Sequence, residues 1–162
     1  MTANRHGTSV VEYPSELEIV TIREFDAPLG LVFDVLTQPE HVRHWFAAFT
    51  DRVTECEIDL RVGGDYRIVS VTEEGKECVF RGRYLALEPP ARTVATWLFE
   101  GWPDAEAVET TELREIDGVT TMTTTLAFRD AAGRAHMTRT DGQESSFDKL
   151  EDYLRSLVGA GA

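Results

Sequence analysis

Residues 107–128, AVETTELREIDGVTTMTTTLAF, contain two runs rich in Thr, Val and Leu on either side of Asp117-Gly118. That dipeptide favours a two-residue hairpin turn, because both of its positions accept positive φ. Side chains alternate along a strand, so Met122, Leu126 and Phe128 share one face of the second run. Toward the N-terminus the pattern repeats. TVATWLFE places Trp97 and Phe99 on one face, CVFRGRYLALE is closed by Pro89-Pro90, EEGKE is a hairpin turn, and RVGGDYRIVSV offers a Gly63-Gly64 turn followed by a strand. A row of hairpins from Cys56 to Phe128 predicts one antiparallel sheet.

The apolar face of such a sheet needs cover. Phe147, Leu150, Leu154 and Leu157 or Val158 mark one face of a C-terminal helix from about Thr140 to Val158, the only predicted element long enough to lie across it. Ahead of the hairpins, LEIVTIREF (Leu17–Phe25) is a β-branched first strand. Asp26 is expected to cap a short helix with Pro28 in its first turn and Val32, Phe33 and Leu36 buried. Pro39 opens a second short helix whose apolar residues Val42, Trp45, Phe46 and Phe49 recur at three and four residues. Residues 1–16 are polar and aperiodic and read as a flexible arm, leaving 17–162 as a single domain. The predicted class is α+β, with a curved antiparallel sheet of about six to seven strands wrapped around the C-terminal helix. Two short helices cannot fill the remaining gap, so a space is expected between sheet, helix and aromatic segment.

The chain has 16 basic and 29 acidic residues, a net charge of −13 that disfavours nucleic acid and anionic membrane surfaces as partners. No run reaches the ~20 apolar residues of a membrane helix, and the N-terminus lacks the apolar stretch of a signal peptide, which predicts a cytoplasmic protein. Cys56 and Cys78 have no C-x-x-C spacing and suggest neither a zinc site nor a redox motif. His41 and His44 share a helix side, but no third ligand is in view, so they are read as solvated surface residues and no metal is expected. Gly63-Gly64 precedes a strand and lacks the lysine of a phosphate loop, so no nucleotide or other cofactor is expected. Ser145 and Ser146 have no histidine in a recognisable relation to them. Asp148, Glu151 and Asp152 read as the solvated face of the last helix. Arg81 and Arg83 flank Gly82 on one strand face with Glu109 on a strand nearby; such arginines orient a ligand carboxylate or form solvent-facing pairs.

Five segments, TQPEHVRHWF, DLRVGGDYRI, FRGRYLALEPPARTVATWLFEG, ETTELREIDGVTTMTTTLAF and DGQESSFDKLEDYL, together resemble the START-like, helix-grip superfamily. Within it they are similar to the bacterial domains named after the activator of the heat-shock protein 90 ATPase. The likeness covers about residues 17–158 and implies a sheet gripping the last helix around a cavity for a small, largely apolar molecule. Trp45 and the Gly63-Gly64 turn match the family's pattern, whereas Trp102 stands where a small residue or methionine is the pattern. The resemblance implies binding of a small hydrophobic or amphipathic molecule as carrier or sensor. The candidate contacts are Trp45, Phe46, Phe49, Arg81, Trp97, Phe99, Trp102, Met122, Phe128, Met137 and Phe147. Two alternatives stay open: a cyclase, dehydratase or hydrolase acting on an aromatic or polyketide-like substrate, and a module that stimulates a chaperone ATPase. No catalytic motif is recognisable, and homodimerisation is open. A deep ionisable residue of shifted pKa would favour the enzyme.

Overall fold

The structure, a computed structural model, describes residues 4–138 and 142–160. Its described elements run β1 (Val10–Glu12), β2 (Glu18–Phe25), α1 (Leu29–Thr37), α2 (Pro39–Val42), β3 (Arg52–Ile58), β4 (Asp65–Val71), β5 (Glu77–Glu88), β6 (Arg92–Phe99), β7 (Ala107–Ile116), β8 (Val119–Phe128), α3 (Ala131–Thr138) and α4 (Gly142–Ala160). The strands form a single antiparallel sheet in the order β1-β2-β8-β7-β6-β5-β4-β3. This is the helix-grip arrangement, with one strand more than the six to seven expected.

The hairpin at Asp117-Gly118 is tight, pairing Ile116 with Val119 across two residues of positive φ (52° and 80°). It sets the phase of β7 and β8 and so decides which side chains face inward. In β8 the buried residues are Thr120, Met122, Thr124, Leu126 and Phe128, in strict alternation with half-buried ones. Helix α4 packs Phe147, Leu150 and Leu154 into the core with Phe25, Val32 and Met122. Truncating any one of those three to alanine removes roughly 2–5 kcal/mol of packing.

Several local expectations are corrected. Asp26 does not cap α1; it binds the Arg5 guanidinium at 3.1 and 3.2 Å, and the Leu29 N–H at the helix start donates instead to Glu115 Oε1 of β7 at 2.7 Å. The helical stretch after Phe128 is divided into α3 and α4; the expected start at Thr140 lies outside the described residues. Residues 4–16 run differently from a flexible arm. Val10–Glu12 adds the edge strand to β2, and the N–H groups of Arg5, Gly7 and Ser9 donate to Glu151, Asp148 and Glu144 at 3.0–3.2 Å.

Those three carboxylates also correct the reading of the last helix as solvated along its acidic face. The inward phase of β2 (Ile19, Thr21, Arg23, Phe25) carries Arg23 into the interior at 1% exposure. Its guanidinium meets Glu144, Asp148 and Glu151 at 3.2, 2.9 and 2.8 Å. A buried guanidinium requires such pairing, since desolvating an unpaired charge is prohibitive. Only Asp152 of the acidic residues singled out stays in solvent, beside His6 at 2.7 Å.

Candidate functional site

Between the concave face of the sheet and the helices lies a cavity of about 700 Å³, within the size range of small-molecule sites. Its floor follows from strand register. Tyr84 pairs with Ala95, Ala95 with Glu109, Glu109 with Leu126 and Leu126 with Ile19, so these five residues form one row across β5, β6, β7, β8 and β2. All five line the cavity. The next row, Thr93, Thr111, Thr124 and Thr21, is a band of hydroxyls on the same face. The opposite flank is aromatic, with Phe80 in contact with Trp97 and Phe99 at centroid distances of 6.1 and 4.9 Å. The roof comprises Phe33, Leu36 and Thr37 of α1, the segment Trp45–Ala48, and Gly142, Gln143, Ser146 and Phe147 of α4. Gly7, Ser9, Val11 and Tyr13 of the N-terminal segment complete the wall.

Glycines place the tyrosines. Gly63, at φ 85°, turns the chain so that its N–H donates to the Tyr84 carbonyl while the Tyr84 N–H donates to Gly64, both at 2.9 Å. At Gly82 a Cβ would lie 1.8 Å from the Thr96 oxygen and 2.5 Å from the Tyr66 ring. Its absence lets Tyr66 lie across β5 and donate its hydroxyl to the Thr96 carbonyl at 3.0 Å.

Glu109 is the polar centre of the floor. Protein surrounds it on every side, so the accessible surface it retains belongs to the cavity. Loss of hydration pushes its carboxyl from 4.5 up to about 7. Its charge reaches both tyrosines: burial first, and then Glu109, push Tyr84 up to about 12 and Tyr66 well above its ordinary value.

Trp45, Phe46, Trp97, Phe99, Met122, Met137 and Phe147 line the cavity. Trp45 is 7% exposed and donates its indole N–H to the Val35 carbonyl at 2.9 Å, so it belongs to the core as well as the wall. Phe49, Arg81, Trp102 and Phe128 are not among the lining residues. Phe49 is 56% exposed with φ 50°, turned outward where its N–H binds Ser145 Oγ. Arg81 points to the outer face of β5 and pairs with Glu100 at 2.9 Å, as Arg83 does with Asp65. Trp102 stacks on His136 at 4.0 Å outside the cavity, and Phe128 is buried behind Trp97 in edge contact.

The paired histidines both contact Tyr153 of α4: His41 Nδ1 lies 2.6 Å from its hydroxyl and His44 stacks on its ring at 4.8 Å. They tie α2 to α4. Among the described residues, His6, Glu151 and Asp152 bring three metal-ligand atoms within 4.8 Å, but Glu151 there already serves Arg23 and Arg155. Ser146 donates to the Phe46 carbonyl at 2.8 Å, so with Ser145 it fastens the aromatic segment to α4.

Glu109 itself was missing from the candidate contacts. Its signal was its phase with Ala107, Thr111 and Leu113 in β7, which puts it on the inner face, away from Arg81 and Arg83.

A family model described as Activator of Hsp90 ATPase homolog 1-like protein matches residues 26–155. Among solved structures, a protein from Rhodobacter sphaeroides is 22% identical with a TM-score of 0.85, over 91% of this chain and 99% of that one. A protein from Nitrosomonas europaea is 24% identical with a TM-score of 0.79 over the same shares, and one from Arthrobacter aurescens 20% identical with a TM-score of 0.80 over 91% of each chain. These likenesses bear on the fold. No curated protein is a significant match. No helix among the described residues is long and apolar enough to cross a membrane.

Proposed function

Because the chain belongs to the family of Activator of Hsp90 ATPase homolog 1-like proteins, we propose that it binds a small, mainly apolar molecule between the sheet and α4. The observation that carries this reading is the cavity of about 700 Å³ whose walls are chiefly aromatic and aliphatic side chains. Water gains few hydrogen bonds against such walls, so an apolar body that displaces it is favoured. Ala95, in the middle of the floor, supplies the test. Ala95→Phe fills the cavity from its base, while the wild type keeps the space. Native mass spectrometry of gently purified protein, together with a thermal-shift panel of aromatic and fatty compounds, should show a bound molecule and ligand-dependent stabilisation in wild type only. Equal stabilisation of a folded Ala95→Phe variant would move the ligand elsewhere.

A second reading, proton transfer on a bound substrate, is favoured by Glu109, a carboxyl held near neutrality inside the cavity. Turnover of a compound retained by the wild type, lost in Glu109→Gln without loss of binding, is the expected result for catalysis.

A further inference from the structure

Every other charged group on the cavity wall has a partner or neighbour of opposite charge. Glu144 accepts from Arg23, Arg92 pairs with Glu88 at 2.8 Å, and Asp51 lies beside Lys149. Glu109 differs. Among the described residues no side chain donates to it, and its row neighbours are the Ala95 methyl and the Leu126 side chain. The other titratable groups on the wall are the hydroxyls of Tyr13, Tyr66 and Tyr84 and the thiol of Cys78, none of which can carry a positive charge.

A carboxylate that faces a cavity with no donor from the protein can take its hydrogen bond from what enters. Two further features decide which donor fits. The wall residues of formal charge are three acids and one arginine already paired, in a protein of net charge −13, so the field in the cavity favours a cation and opposes an anion. The rings of Tyr66, Tyr84 and Trp97 also line the cavity and offer π faces that attract a cation and repel an anion. A neutral alcohol would satisfy the hydrogen bond but would gain neither of these.

We propose that the ligand is an amphipathic amine, whose ammonium group pairs with the Glu109 carboxylate and whose apolar body lies against the Phe80, Trp97 and Phe99 flank. This rests on the binding reading above and names the chemistry that the cavity selects. Pairing requires ionised Glu109, so amine affinity rises with pH through the titration of its carboxyl and levels off while the ligand keeps its proton.

The test uses three probes of one shape, phenylbutylamine, phenylbutanol and phenylbutyrate, titrated calorimetrically into wild type, Glu109→Gln and Glu109→Asp. At about pH 8 the amine should bind wild type roughly tenfold or more tighter than the alcohol, with the butyrate weakest. The preference should shrink toward pH 6 as Glu109 takes up a proton, vanish in Glu109→Gln and persist in part in Glu109→Asp, which keeps the charge. The alcohol should still bind Glu109→Gln, whose amide oxygen keeps an acceptor, and a cooperative urea transition should show that the variant still folds. Equal binding of amine and alcohol by wild type, or an amine preference kept in Glu109→Gln, overturns the amine assignment and leaves the cavity as a site for neutral apolar molecules. Failure of all three probes to bind wild type counts against both.

Discussion

Arg23 on β2 and Glu109 on β7 both project from the concave face of the sheet, yet Arg23 meets three carboxylates while Glu109 meets no cation among the described residues. The acids around Arg23 are spaced along α4 so that one helix face delivers all three, and the N-terminal segment adds backbone donors to each. That cluster pairs the guanidinium with three carboxylates, leaving Arg23 Nε without a hydrogen-bond partner among the described residues, and it joins the N-terminal segment, β2 and α4. Glu109 sits where the helices leave a gap, so no cation or side-chain donor among the described residues reaches it. A charge compensated within the chain builds structure. A charge left open in a hollow stores unfavourable free energy that a ligand can relieve.

The sharpest way to break this contrast is to remove the compensated cation. Arg23→Met should lower stability by about 3–5 kcal/mol in urea unfolding near pH 7, because Glu144, Asp148 and Glu151 are left crowded without their counter-charge. A loss below about 1 kcal/mol would show that water or other groups serve the acids equally well.

The opposite sign is expected at the other site. The Glu109 carboxyl titrates near 7 when folded against 4.5 otherwise, so the native state holds a proton that the unfolded chain has released between those values. Its contribution is therefore fully present below about 4.5 and lost as pH rises through 7, by about 3 kcal/mol at most. Glu109→Gln should raise stability at about pH 8 by about 1–3 kcal/mol relative to wild type and change it little at about pH 4. A variant less stable than wild type at both pH values would mean that the carboxylate has a partner.

A smaller effect is expected where one hydrogen bond joins α2 to α4. Tyr153→Phe deletes the contact with His41 Nδ1 while keeping the ring against His44, and should cost about 0.5–1.5 kcal/mol by thermal or urea unfolding. Least of all is expected from Arg81, whose pairing with Glu100 is solvent-exposed at 53% and 44%. Arg81→Ala should shift stability by less than about 0.5 kcal/mol and leave ligand binding unchanged; a lost ligand response would return Arg81 to the site.

Much of this was legible in the chain itself. Alternation in VTTMTTTLAF, the Asp117-Gly118 turn and the apolar stripe of α4 named the sheet, its inward face and its cover, because period and turn chemistry are local properties. The aromatic segment from Trp45 was likewise visible, though helical periodicity placed Phe49 inside when the chain leaves the helix after Val42 and turns it out. Arg81 lies outside the cavity because its position on the outer face of β5 depends on sheet phase, which local sequence marks clearly only where neighbouring residues are strongly apolar.

What tertiary structure alone decided is how charges meet. Glu144, Asp148 and Glu151 look like the wet side of a helix until Arg23, over a hundred residues earlier in the chain, is seen facing them. Glu109 looks like one more surface acid until register sets it beside Ala95 and Leu126 on the floor of a cavity. Sequence determines which residues point to a common face, since that follows from backbone geometry. Whether a charge on that face finds a partner or a void depends on long-range packing and on the desolvation it imposes, which no local pattern encodes.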